Sequence, residues 1–137
     1  MMHYYKIPNS SIAGASDSNI PDYQAGYEKA LSIATSAQSG ANLITQASGM
    51  LSGLMGVSLE SLVLDNELCG SILSSMRSID VPVLTDDLES IKQVIDGDKH
   101  FLGESDTLKR MNTDFHYPKS AKRLSPELWM KEKDNTM

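Results

Sequence analysis

The sequence predicts an α/β chain of about two β/α units, followed by helices and an irregular tail. Three observations lead there. Short apolar runs at 7–15 and 41–46 alternate with long helical patterns at 23–38 and 58–79. Capping residues and glycines punctuate those patterns at the expected places. Beyond Gly97 no strand pattern returns.

The elements follow in order. Ile7 to Ala15 reads as a short strand, with Pro8 fitting its start and Gly14 its carboxyl end. Asp17 to Asp22 is polar and broken by Pro21, so it reads as a strand-to-helix loop. Asp22 is a good N-cap for a helix from about Tyr23 to Gln38, and Gly40 is its C′ glycine. Tyr27, Ala30, Leu31 and Ala34 recur at three and four residues and predict the buried stripe of that helix. Ala41 to Gln46 is the second strand. Ser48 to Gly56 carries three glycines and reads as a flexible loop without the spacing of a phosphate cradle. Ser58 caps a helix to about Ile79, with Glu60 in its first turn and an apolar face of Leu59, Leu62, Val63, Leu68, Ile72 and Met76. Thr85-Asp86-Asp87 opens a third helix, Leu88 to Ile95, stopped by Gly97. His100 to Gly103 reads as a compact apolar loop, 107–112 as a helical turn and 115–118 as an aromatic turn. Pro126 opens a last short helix, and a charged end follows from Lys131. The natural division is residues 1–97 as the β/α part and 98–137 as a tail packing on it.

Composition narrows the function classes. With 137 residues and a 40% hydrophobic fraction, the chain is long enough for one modest core. A net charge of −6 argues against a nucleic-acid partner, without specifying a cationic ligand. Cys69 is the single cysteine, so no disulfide framework or thiolate-rich zinc site arises within the chain. It sits in the pattern Leu62, Val63, Leu68, Ile72, Leu73 and reads as core, a nucleophile being the minority reading. His3, His100 and His116 have no metal-ligand spacing, and no metal is expected. No apolar run reaches the ~18 residues of a membrane span and no signal peptide is evident, so the expectation is a cytoplasmic chain with no membrane partner.

The strand count is the most constraining result. Two parallel strands leave two exposed edges, whereas parallel sheets are normally multi-stranded and covered. The chain is therefore expected not to close its own sheet. It is either a fragment or a unit that pairs with another chain.

Four stretches, in order, resemble the trimethylamine methyltransferase family. Asp17-Ser18-Asn19-Ile20-Pro21-Asp22-Tyr23-Gln24-Ala25-Gly26-Tyr27-Glu28-Lys29 is similar to its Ser-Asp-x-x-x-Pro-Asp-x-Gln-x-Gly-x-Glu-Lys segment. Gly40 to Ile44 resembles its penultimate or last barrel strand. Leu62-Val63-Leu64-Asp65-Asn66-Glu67 resembles its Leu-Val-Ile-Asp-(Asp/Asn)-Glu helix. His100-Phe101-Leu102-Gly103 with Thr107-Leu108 resembles its carboxyl-terminal motif. The resemblance runs from about Tyr4 to Trp129 and implies the carboxyl-terminal part of a (β/α)8 barrel, the first five or six units having no counterpart here. It implies transfer of a methyl group from trimethylamine or a betaine-like quaternary amine to the cobalt of a corrinoid, which is carried by a partner protein and not bound directly. The other implied partner is the missing amino-terminal barrel half, or another copy of the chain. In trimethylamine-using members an amber-encoded pyrrolysine lies shortly upstream of the matched region. Met1 or Met2 falls about where a downstream reading frame would then begin, and a frameshift or a deliberate truncation would look the same. Two departures stand out: there is no second histidine near Ser105-Asp106, and only Gly14 remains of the glycines usual before Asp17.

A cationic amine head group suits carboxylates and aromatic faces. The candidate substrate-binding residues are accordingly Asp17, Asp22, Gln24, Gln46 and His100, with no catalytic residue assigned. Each has a structural reading beside it. Asp22 serves as an N-cap, Asp17 as a loop hydrogen-bonding group, Gln24 as a group bonding backbone, Gln46 and Ser48 as loop-stabilising residues, and His100 as a packing histidine. Tyr23 and Tyr27 offer rings, though Tyr27 lies on the predicted core stripe. Asp65 and Glu67 read as structural, facing outward or capping a neighbour. Two other classes compete with the methyltransferase segment: a non-catalytic interaction module using its open sheet edge, and a small complete α/β enzyme. The strand count opposes the last.

Overall fold

Small residues set how the first long helix lies on its sheet. The computed structural model describes residues 2–78, 84–97 and 100–134. A four-residue helix α1 (Met2–Tyr5) leads to β1 (Ser10–Ile12), α2 (Tyr23–Gln38) and β2 (Leu43–Thr45). β1 and β2 pair in parallel, Ser10, Ser11 and Ile12 lying opposite Leu43, Ile44 and Thr45. Ser36 Oγ bonds Ser11 Oγ at 3.0 Å, and Ser32 Oγ accepts the Gly14 N–H at 3.1 Å. These contacts seat α2 on one face of the pair. At the amino ends of the strands Asn9 and Asn42 exchange amide-to-side-chain hydrogen bonds at 3.0 and 3.2 Å.

Six further helices and strands and a 3-10 turn follow. β3 (Met50–Leu51) and β4 (Gly56–Val57) form an antiparallel hairpin around a 3-10 turn at Ser52–Leu54. The glycine-bearing stretch expected to be a loop is thus partly structured. Gly49 and Gly53 have φ of +78° and +58°, conformations that let the chain reverse there at little cost. α3 (Leu59–Ser75) follows, with Ser58 Oγ accepting the Ser61 N–H at 3.1 Å as its cap. It ends four residues short of the expected limit, and Ile79 lies outside the described residues. α4 (Leu84–Asp96), α5 (Ser105–Thr113) and α6 (Pro126–Asp134) make up the rest. α4 and α5 are longer than the sequence indicated. β1 is shorter, since only three residues of the expected strand are paired. Phe101 and Leu102 are exposed, so that apolar loop is not packed against the body.

The core is a thin layer. Ala13, Ile33 and Ile72 are buried, and Ala34, Ala37, Ile44, Ala47, Leu68 and Cys69 pack around them. Cys69 occupies the packing position its neighbours indicated, and burial, then the Asp65 charge, push its thiol pKa up. The predicted stripe of α2 is corrected. Tyr27 and Leu31 are 49% and 67% exposed, while the buried residues are Ala25, Lys29 and Ile33. The apolar pattern had no reason to turn a lysine inward. On α3, likewise, Ile72 is buried but Leu59, Leu62 and Val63 are exposed.

The tail meets the body at α3. The Ser120 N–H donates to both Glu67 oxygens, each at 2.9 Å. The His116 ring lies over Gly70, where an added Cβ would stand 3.3 Å from Cε1. Among the described residues no helix is long and apolar enough to cross a membrane.

Two glycines should respond oppositely to alanine. Gly14 has φ +96°, and a Cβ there would stand 2.6 Å from the Ala47 Cα. Gly14→Ala should destabilise the chain by about 2 kcal/mol or more. Gly26 lies inside α2 with nothing within 4 Å of an added Cβ. Gly26→Ala should stabilise by about 0.5–1 kcal/mol. Urea unfolding of the two variants checks both signs.

Candidate functional site

α/β sheets bind ligands at the carboxyl ends of their strands. Here two segments meet there, 13–22 after β1 and 46–58 after β2. One buried interaction lies beneath them. Lys29 on α2 is 1% exposed, and its Nζ stands 2.5 Å from Oδ2 of Asp65 on α3, whose side chain is 8% exposed. The same oxygen accepts the Gly49 N–H at 2.8 Å. A buried ammonium is tolerated only with a well-placed counter-charge, and Asp65 provides it. Sequence reasoning placed Asp65 at the outside of its helix or as a neighbour's cap. It is buried, because α2 brings Lys29 opposite it.

The first segment is organised around Glu28. Its Oε2 accepts the Ser16 hydroxyl at 2.6 Å and the Asp17 N–H at 2.9 Å, and its Oε1 accepts the Gln24 side-chain amide at 2.8 Å. These donors, Ser16 foremost, then Gln24, then the Asp17 amide, hold the Glu28 carboxyl below its ordinary pKa. Ser16 and Ser18 are themselves buried. The Ser18 N–H donates to Ser16 Oγ at 3.0 Å, and Ser18 Oγ donates to the Ile20 carbonyl at 3.0 Å. Asp22 closes the segment as the α2 N-cap, accepting the Ala25 N–H at 2.9 Å. That bond, then the Ser18 hydroxyl, lower its pKa.

The hairpin pins the first segment from above. Ser52 N–H donates to the Ser18 carbonyl at 2.9 Å and Gly53 N–H to the Ser16 carbonyl at 3.0 Å. Ser52 Oγ donates to Asn19 Oδ1 at 2.8 Å. Gln46, Ser52 and Leu54 adopt left-handed φ of +63°, +51° and +75°, so three strained non-glycine residues fall in this one segment.

The predicted site residues divide accordingly. Asp17 is exposed, and an added Cβ on Gly53 would lie 3.4 Å from its Oδ1. It lines an open groove of about 510 Å³ with Glu28, Tyr27, Leu31 and neighbouring residues. Gln24 belongs to the same cluster through Glu28. Asp22 is committed to its cap. Gln46 is exposed at the carboxyl end of β2. Ser48 Oγ donates to the Leu62 carbonyl at 3.1 Å, a loop-stabilising bond. His100 sits against Gly103 ahead of α5, and no described hydrogen bond joins it to the two segments. The Tyr23 and Tyr27 rings pack at 5.6 Å on the exposed flank of α2. Sequence reasoning missed Ser16, Glu28 and Lys29. The available signal was a lysine in line with Ala25 and Ile33, four residues to either side, and an aspartate directly after the run Leu62-Val63-Leu64. Among the described residues, no three histidine, cysteine or acidic side chains are grouped to hold a metal ion.

The comparisons with known proteins converge. A family model described as trimethylamine methyltransferase matches residues 1–137. The chain is 29% identical over 136 residues to a glycine betaine methyltransferase of Desulfitobacterium hafniense, covering 99% of this chain and 28% of that protein. It is 37% identical over 129 residues to a trimethylamine methyltransferase of Methanosarcina thermophila, covering 94% and 26%. With a second such enzyme, from Methanosarcina mazei, it is 38% identical over 120 residues, covering 88% and 23%. The chain therefore spans about a quarter of the length of these relatives.

Two outcomes are expected from this geometry. Lys29→Met or Asp65→Ala alone leaves a buried charge unpaired and should cost about 3–5 kcal/mol in denaturant unfolding. Glu28 has a depressed folded pKa, so its hold on the loop is complete above the ordinary value of 4.5 and is lost as pH falls through the lower folded value. The Asp17 amide proton shift should therefore be flat from neutral pH to about 4.5 and titrate below it. Glu28→Gln should remove the Glu28 contribution to that titration.

Proposed function

The chain belongs to the trimethylamine methyltransferase family, and from that membership we propose that it is a carboxyl-terminal part of a corrinoid-dependent methyltransferase. Its substrate would be trimethylamine or a betaine-like quaternary amine. The observation that carries the reading is a single parallel β1–α2–β2 unit whose sheet face and flank stand open, in a chain matched end to end by the family. Ile12 and Leu43, on the face away from α2, are 68% and 59% exposed. In a closed (β/α)8 barrel that face is the interior, and the flank of α2 packs on a neighbouring unit. Tyr23, Tyr27 and Leu31 follow one another at four-residue spacing along that exposed flank. Residues 10–75 would be late barrel units, and the helices beyond would pack on the barrel.

The chemistry assigned to this segment is positional. A corrinoid held by a partner protein supplies cobalt(I) as the nucleophile for displacement at a methyl carbon. The departing amine keeps the electron pair of the broken carbon–nitrogen bond. A fully methylated ammonium offers no N–H, so it is recognised by negative potential and aromatic faces, not by directed hydrogen bonds. Asp17 has an exposed carboxylate at the mouth, with Glu28, whose pKa is lowered, behind it. Both favour a cation there. Gln46 lies at the corresponding end of β2, and His100 is proposed to approach the mouth only in the assembled barrel.

Co-expression tests the proposal. With the upstream barrel portion of a family member supplied as a separate chain, a soluble complex should form. It should transfer methyl groups from a methylated amine to a corrinoid protein, while this chain alone should transfer none. Asp17→Asn in the complex should raise KM for the cationic amine about tenfold. A monomeric, cooperatively melting isolated chain that gains neither solubility nor activity from the upstream portion would remove the proposal.

A further inference from the structure

Building on the methyltransferase reading, we propose that Lys29 and Asp65 are positioning residues whose buried ion pair holds Asp17 in place at the mouth of the site. The connection is continuous. Asp65 Oδ2 binds Lys29 Nζ and the Gly49 N–H together. Gly49 opens the hairpin, which returns to bond the first segment on both sides of one residue. Gly53 N–H takes the carbonyl of Ser16, and Ser52 N–H takes the carbonyl of Ser18. The residue between those carbonyls is Asp17. Its own N–H is taken by Glu28, which neighbours Lys29 on α2. An exposed carboxylate therefore stands on a backbone pinned at three points, and two of the three trace back to Asp65.

The charges do something an apolar pair would not. Two well-packed aliphatic side chains would hold α2 against α3 equally well, and such replacements are often neutral or stabilising. They would present no acceptor to the Gly49 amide, which is buried and would lose its only described partner. A pair retained solely for stability has no need of that third contact, whereas a pair that sets loop geometry does.

The test separates loop position from global stability. Hydrogen exchange is measured on the full chain and on two double variants, Lys29→Met/Asp65→Leu and Lys29→Met/Asp65→Asn. In the leucine variant the amides of Ile33 and Ile72 should stay within about threefold of the parent, while those of Gly49, Ser52 and Gly53 exchange at least about tenfold faster. The asparagine variant, which keeps an acceptor without an unpaired charge, should restore loop protection. In the co-expressed complex, the leucine variant should raise KM for the amine more than it lowers kcat, and the asparagine variant should return it. Loop amides that stay protected in the leucine variant would overturn the proposal. So would loop and core losing protection together in both variants. If the parent complex transfers no methyl group, the methyltransferase reading fails, and the exchange pattern still decides the positioning role.

Discussion

The contact on which this structure depends is a three-way one: a lysine from one helix, an aspartate from the next, and a loop amide between them. Lys29 is the largest fully buried side chain among the described residues. Its burial is compatible with folding only because Asp65 is also buried and within 2.5 Å. The pair fixes how α2 and α3 approach each other. Through Gly49 it also fixes where the polypeptide goes after β2. Few other interactions here could do that, since the apolar core centres on Ala13, Ile33 and Ile72. Hydrophobic burial can hold the two helices together, but the ion pair with its third ligand also ties the loop after β2 to them.

Much of the framework was legible in sequence because local chemistry dictates it. Asp22 and Ser58 are good N-caps, and both cap the helices that follow them. The parallel pair β1–β2 was legible in two short apolar runs separated by a helical pattern, while the strands of the hairpin after β2 were not. What remained hidden was decided by partners distant in sequence. Lys29 and Asp65 are 36 residues apart, and each alone reads as a solvated charge. Tyr27 and Leu31 carry the apolar pattern of α2, yet they face outward because the inward face is taken by alanine, lysine and isoleucine. The glycines after β2 marked irregular backbone but not the hairpin, since two-residue strands are below what alternation reveals. Within the candidate site, Asp17 stood out through its loop position and the family motif. Glu28, which organises the loop around it, looked like an ordinary helix carboxylate.

The misplaced apolar residues form a coherent pattern. Ile12 and Leu43 cover the sheet face away from α2, and Tyr23, Tyr27 and Leu31 line one flank of that helix. Exposed apolar surface in such continuous arrays marks contact surfaces, not solvent-facing design. The described unit buries the layer between the β1–β2 pair, α2 and α3, and leaves the far face of the pair and one flank of α2 exposed. A repeating β/α architecture has this property at every unit: each strand pair needs a neighbour on either edge, and each helix a neighbour on either flank. The apolar periodicity of α2 therefore follows its exposed flank and not its buried face.

The loop geometry around Asp17 rests on bonds inside the described unit. Loops at strand ends usually take their shape from the whole barrel rim. Here the loop after β1 is bonded to the loop after β2 through backbone groups, and both are tied to α2 and α3 by carboxylates. None of those bonds requires a further strand. Even the close approach of Gly14 to Ala47 is internal to the unit. The local geometry around Asp17 is thus a property of the β1–α2–β2–α3 unit. Within the unit the carboxylates of Glu28 and Asp65 fix the shape of both loops.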